Sequence, residues 1–160
     1  MKNLEKTIEK LIKALSTKNQ TVSFAESCTG GRIAAAFTAV SGSSAILHGS
    51  CVTYANEIKE QWLDVPKEIL ENQGAVSKEC VEAMLKGMQK MAASDYTLAV
   101  SGIAGPTGGT EFKPVGTVYI GLLTPEGKSE VHHCHFDGVR HQVQEQATQF
   151  AIELLEKSIN

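Results

Sequence analysis

Apolar positions along this chain recur at two spacings, and the changes between them mark out helices and strands. Leu4, Ile8, Leu11, Ile12 and Leu15 lie three or four residues apart with Lys and Glu between them, which predicts an amphipathic helix over residues 2–17. Thr17 to Gln20 interrupts that period. The run from Thr21 to Ala25, with its β-branched and aromatic residues, predicts a first strand. Small and glycine residues follow, and from Ile33 an Ala-rich stretch predicts a helix to about Val40, closed by the turn Ser41-Gly42-Ser43-Ser44. Ile46 to Ala55 reads as a second strand, with Asn56 as N-cap of a short helix carrying Lys59, Trp62 and Leu63. Pro66 suits the first turn of another short helix, ending near Asn72. Ser77 is a second candidate N-cap. After it Val81, Met84, Leu85, Met88 and Met91 line one helical face, where the methionines read as core packing.

Tyr96 to Val100 reads as a buried strand running into a second glycine-rich stretch, Ser101 to Thr110. Val115–Leu123 and Ser129–Phe136 predict two more strands, joined by the hairpin-like loop Thr124 to Lys128. The last helix is expected from about Gly138 to Ser158, with Val143, Ala147, Phe150, Ala151, Leu154 and Leu155 on its apolar side. There is no internal repeat, linker or low-complexity segment. Helices interleaved with strands early and a hairpin late predict an α/β fold, a single-domain αβα sandwich with a mixed sheet.

A chain of 160 residues suits one domain, burying roughly 70% of its unfolded surface. The formal net charge of −3 argues against a nucleic acid or a membrane surface held by bulk electrostatics. No apolar run approaches the ~20 residues needed to span a bilayer. The first ten residues alternate Lys and Glu and lack the apolar core of a signal peptide. Cys28, Cys51, Cys80 and Cys134 form no CxxC pair and read as reduced thiols. A cytoplasmic protein is expected.

The chemistry centres on Phe24-Ala25-Glu26-Ser27-Cys28-Thr29-Gly30-Gly31-Arg32. A strand, a tight glycine turn and a helix start leave backbone N–H groups unpaired, and such a helix N-terminus favours an anion, whether a phosphate or a developing oxyanion. Ser27 lies at the crest of this turn as the candidate nucleophile. A serine hydroxyl needs a base within reach. Tyr54 at a strand end and Lys59 one turn into the next helix are candidates, since lysine serves as a base when burial lowers its pKa. By spacing alone they are equally a half-exposed strand tyrosine and a solvated helix lysine. The second glycine stretch lacks the Gly-Lys-Ser/Thr ending of a Walker loop, but two glycine loops after two strands can converge where α/β sheets bind ligands. That makes a phosphate-bearing small molecule plausible.

Seven blocks taken together resemble the CinA C-terminal family, in the right order and over nearly the whole chain, from about residue 4 to 157. They are Ala25 to Gly31, Gly42-Ser43-Ser44, Val52-Thr53-Tyr54, Lys59, Gly74-Ala75-Val76-Ser77, Gly102-Ile103-Ala104-Gly105-Pro106 and Lys113 to Val118. The resemblance implies hydrolysis of the carboxamide of nicotinamide mononucleotide to nicotinic acid mononucleotide and ammonia, without a metal or other cofactor. It implies Ser27 as nucleophile with Tyr54 and Lys59 beside it, and Ser101, Gly102 and Arg140 in substrate handling. It also suggests a homodimer or higher homo-oligomer, with the first or last amphipathic helix as interface. Two positions depart from the family pattern. Ser101 stands where threonine is common and keeps the hydroxyl. Gly138-Val139-Arg140-His141-Gln142-Val143-Gln144 keeps only the first arginine of Gly-Asp-Arg-x-x-Val-Arg. If the second arginine grips the phosphate, this chain is expected to be slower or to choose another ligand.

The expected mechanism is acyl transfer, with Lys59, relayed or not through Tyr54, taking the Ser27 proton. Backbone N–H groups near Thr29, Gly30 and Gly31 would hold the oxyanion. The rivals are a cysteine amidase using Cys28, whose thiol a helix N-terminus would acidify, and a non-catalytic nucleotide-binding module acting through a protein partner. His132-His133-Cys134-His135 suggests a metal, but strand alternation puts only His133 with His135, or His132 with Cys134, on one side. Ammonia release should therefore survive dialysis against EDTA, with less than stoichiometric zinc by elemental analysis. Loss on chelation and recovery on adding zinc would overturn this.

Overall fold

The computed structural model describes residues 2–159. Its elements are α1 (Lys2–Thr17), β1 (Val22–Glu26), α2 (Arg32–Thr38), a single 3-10 turn (Ser43–Ala45), β2 (Leu47–Val52), α3 (Asn56–Leu63), α4 (Lys67–Asn72), α5 (Lys78–Ala92), β3 (Tyr96–Gly102), β4 (Thr117–Leu123), β5 (Ser129–His135) and α6 (Arg140–Ile159). The sheet order is β2-β1-β3-β4-β5. β1 pairs parallel with β2 and β3, while β3–β4 and β4–β5 are antiparallel, so the sheet is mixed as expected.

Two apolar clusters cover its faces. One gathers Ile8, Leu11 and Leu15 of α1, Ile33 and Phe37 of α2, and Val143, Ala147 and Ile152 of α6 against Phe24 and Leu98. The other gathers Leu63 of α3 and Val81, Met84 and Leu85 of α5 against Ala25 and Ala99. These are the two outer layers of an αβα sandwich. The apolar stripes of α1 and α6 are spent in this core, so they are not free faces for a subunit interface.

The connections explain where a site can form. From β1 the chain passes through α2 on one face to β2, then through α3, α4 and α5 on the other face to β3, on β1's opposite side. The carboxyl ends of β1 and β3 thus flank the point where the winding reverses, the place where open α/β sheets leave a crevice.

Some local expectations change. Asn56 is the first residue of α3 rather than its cap; Ala55 takes the cap position and no side chain caps that end. The Ser77 hydroxyl does cap α5, accepting from the Cys80 N–H at 3.1 Å. Met91 and Trp62 are half exposed, so the core face of α5 ends at Met88. β2 stops at Val52, which leaves Tyr54 in the connection to α3, and β3 continues through Ser101 and Gly102.

α3 lies so close to α5 that a Cβ on Gly87 would fall 1.9 Å from the Leu63 carbonyl oxygen. Backbone cannot give way as a side-chain tip can. Gly87→Ala should destabilise the protein by about 1–3 kcal/mol, read as a lower urea midpoint. An unchanged midpoint would show that α3 is free to shift.

Candidate active site

β1 is buried along its whole length and ends at Glu26, so the chain leaves the sheet at Ser27. It must then reverse into α2, and Gly30 and Gly31 supply the positive φ values, 59° and 100°, that this requires. The expected anion site at the start of α2 is already filled. The buried Glu26 carboxylate accepts from Gly31 N–H (3.1 Å), Ile33 N–H (3.0 Å) and Ala34 N–H (3.0 Å), and from the Thr29 hydroxyl (2.6 Å). Gly30 N–H donates to the Ser27 carbonyl. Thr29, Gly30 and Gly31 therefore build the turn and do not line the cavity beside it. The backbone N–H groups of Cys28 and Thr29 donate to no other residue among those described.

Ser27 and Lys59 come together. Lys59 Nζ lies 3.0 Å from Ser27 Oγ and donates to the backbone carbonyls of Thr53 (2.6 Å) and Tyr54 (3.0 Å). The lysine is 1% exposed, and burial lowers its pKa from the ordinary value. The side chains of Trp62 and Tyr54 take little part in this, since both are at least half exposed. What buries the amine is its position under the end of β1, on the face that α5 covers. The contacts serve both protonation states: the ammonium donates to the two carbonyls and to Ser27 Oγ, and the neutral amine keeps the carbonyls and turns its lone pair toward Oγ.

Tyr54 reaches the pair only through its carbonyl. Its hydroxyl turns to the surface, where Arg140 Nη2 donates to it at 3.0 Å. Arg140 Nη1 donates to the Gly105 carbonyl. A proton relay through the Tyr54 hydroxyl is thus absent from this arrangement, and Tyr54 instead helps to hold Arg140.

Ser27, Lys59, Tyr54 and Arg140 open onto a cavity of about 290 Å³, near the lower bound for small-ligand sites. Its remaining wall is the second glycine loop, from Ser101 and Gly102 to Gly108, with Ala75 and Val76 ahead of α5. The two glycine loops therefore do converge. One arginine, the Lys59 amine and no carboxylate line this space. A larger groove of about 450 Å³ runs between α3, α4 and α5 past Asp64, Glu79 and Lys86, but it carries no nucleophile beside a base.

Cys28 also lines the cavity, yet burial pushes its thiol up to about 12, which leaves no appreciable thiolate at neutral pH. The histidines of β5 are engaged locally. His133 stacks on Tyr119 with centroids 4.5 Å apart, His132 meets Glu130 at 3.3 Å, and His135 lies 3.1 Å from the Val115 carbonyl. Among the described residues no three His, Cys, Asp or Glu side chains group as metal ligands.

The CinA C-terminal domain matches residues 4–159. The chain belongs to that family. A CinA-like protein of Endomicrobium trichonymphae is 48% identical over 145 residues, which is 91% of this chain and 34% of the relative. One from Fervidobacterium nodosum is 46% identical over 145 residues, 91% of this chain and 35% of the relative. The chain thus spans about a third of the length of these CinA-like relatives. Among solved structures, the competence/damage inducible protein CihA from Agrobacterium tumefaciens superposes with a TM-score of 0.94 at 35% identity, covering 98% of this chain and 95% of that one. A CinA superfamily protein from Klebsiella pneumoniae gives 0.92 at 34%, covering 98% and 97%. No helix among the described residues of this CinA-family chain is long and apolar enough to cross a membrane.

Sequence reasoning gave two residues no role that the structure gives them. Glu26 was visible as an acid just ahead of a helix start, the position that complements a helix dipole. Gln144 is buried and donates from Nε2 to the Cys28 carbonyl at 3.0 Å. Its side chain therefore braces the nucleophile turn and does not line the cavity.

Proposed function

We propose that the protein is a serine amidohydrolase acting on a small anionic amide, and that its substrate is nicotinamide mononucleotide. The observation that carries this reading is the buried Lys59 amine, 3.0 Å from Ser27 Oγ and fixed by two backbone carbonyls. Lys59 takes the Ser27 proton as Oγ attacks the carboxamide carbon. The N–H of Cys28, a residue that lines the cavity, is the donor left for the oxyanion, and one such donor is worth about 3 kcal/mol in other hydrolases. The lysine then returns its proton to the departing ammonia, and water hydrolyses the acyl-enzyme. Arg140, at the cavity rim, is the cation for the substrate phosphate, with the second glycine loop beside it.

The substrate's identity rests on the family resemblance, supported by a small cavity with Arg140 at its rim and no carboxylate in its wall. The cysteine alternative loses support because the Cys28 thiol is held far from its reactive form. The non-catalytic alternative would draw on the missing second arginine, but Gln144 at that position faces the turn rather than the ligand space.

The test is ammonia release from a panel of pyridine nucleotides. Nicotinamide mononucleotide should be turned over, and Ser27→Ala should lower kcat about a thousandfold or more, while Cys28→Ala stays within about tenfold of wild type. A reversed pattern would make the serine mechanism wrong.

The lysine gives a separate prediction. As its pKa is lowered and the neutral form is the base, kcat should rise with pH through that pKa and level off above it. Lys59→Arg should be nearly inactive although the charge is kept, because arginine stays protonated. Lys59→Met should be equally inactive but still bind substrate by calorimetry. Near-normal kcat in the arginine variant would mean that Lys59 supplies only charge.

A further inference from the structure

Glu26 is a buried acid that the proposed reaction leaves unused. No salt bridge partners it among the described residues, and all of its bonds run to the segment just after Ser27. A carboxylate taken out of water without a counter-charge is costly unless hydrogen bonds replace its hydration. A short neutral cap such as serine would satisfy a helix start at lower cost. The carboxylate does something such a cap cannot. Oε1 gathers the Thr29 hydroxyl, Gly31 N–H and Ile33 N–H, and Oε2 takes Ala34 N–H, so one side chain spans the whole turn.

We infer that Glu26 is a positioning residue, whose carboxylate locks the turn 27–31 so that Ser27 Oγ stays against Lys59 Nζ. This rests on Ser27 being the nucleophile. Backbone pairing fixes the strand side of the turn: Glu26 pairs with Val52 of β2, and its carbonyl accepts from Thr53 N–H. The same strand edge carries the Thr53 and Tyr54 carbonyls that hold Lys59. Lys59 is thus referenced to β2, whereas Ser27 stands between β1 and a helix start. Two glycines with positive φ would leave that helix start free to swing. The Glu26 carboxylate ties it back to the strand, and Gln144 holds the Cys28 carbonyl from the α6 side. Cost follows from geometry, since misplacement of a reacting group by about 1 Å can lower a rate about a hundredfold.

The experiment uses a probe that does not depend on the substrate's identity. Wild type, Glu26→Gln and Thr29→Val are reacted with an alkyl fluorophosphonate, and labelling of Ser27 is followed by mass spectrometry, with folding checked by circular dichroism. Glu26→Gln keeps the shape but puts an N–H donor against the donors that the carboxylate held. Its labelling rate per folded molecule should fall about tenfold or more. Thr29→Val removes one of the four bonds and should give a smaller fall. In turnover both variants should lose kcat with KM within about twofold, and the pH midpoint of kcat, set by Lys59, should stay in place. A merely structural role predicts lower stability with wild-type labelling in the folded fraction, and that result overturns the inference. Should Glu26→Gln fail to fold, wild-type labelling in Thr29→Val overturns it equally. If wild-type Ser27 is never labelled, it is the nucleophile assignment that fails.

Discussion

The burial of one lysine amine is the constraint from which the site follows. Lys59 Nζ meets two carbonyls and one hydroxyl but no carboxylate, so nothing offsets the desolvation of its charge. Desolvation favours the form with fewer hydrogens to satisfy, which is also the form able to accept a proton. The carbonyls of Thr53 and Tyr54 are free to act here because β2 ends at Val52 and the chain turns away before α3 begins. The end of β2 is therefore as much a part of the site as the lysine itself.

The winding of the sheet brings these parts together. β1 and β3 run parallel side by side, and the connection leaving β1 and the one arriving at β3 cover opposite faces. Ser27 follows the last residue of β1, and Ser101 is the next-to-last residue of β3. Neither loop needs to be long to reach the other. The helix that carries Lys59 is pressed onto α5 at Gly87, so packing on that face of the sheet fixes the lysine. Ser27 answers to β1 and α2, Lys59 to β2 and α3, and Arg140 to the start of α6.

What was legible in the sequence follows from the range of each interaction. Periodicity located the helices and strands because burial of one face is set by neighbours three, four or two residues away. The boundaries at Val52 and Gly102 were not legible, since they depend on which strand lies alongside. The strand–glycine–helix pattern placed Ser27 at its crest, but it also suggested open N–H groups that Glu26 in fact occupies. Nothing local distinguishes an acid that solvates a helix start from outside from one that folds back beneath it. The Ser27–Lys59 contact spans 32 residues and the Tyr54–Arg140 contact 86. Spacing had left Tyr54 and Lys59 open as a half-exposed tyrosine and a solvated lysine. The structure divides them, with Lys59 buried at Ser27 and Tyr54 62% exposed.

Gln144 shows how a departure from a family pattern acquires its meaning only from its direction. As a missing arginine it suggested a weakened hold on a ligand. In the fold it is 8% exposed, on the inner side of α6, with its amide on the Cys28 carbonyl. A carboxamide can be buried there with one good acceptor, because it carries no charge to desolvate. A guanidinium in the same place would bring five donors and a full charge into the interior and would need a larger set of acceptors. Glutamine at this position is therefore consistent with bracing the turn and leaves Arg140 as the arginine at the cavity rim. Arg140 is itself held by the Gly105 carbonyl and the Tyr54 hydroxyl, one from each side of the opening. An incoming anion would meet a cation already oriented by neutral oxygens, whose bonds can be exchanged for the ligand's without leaving a buried charge unpaired.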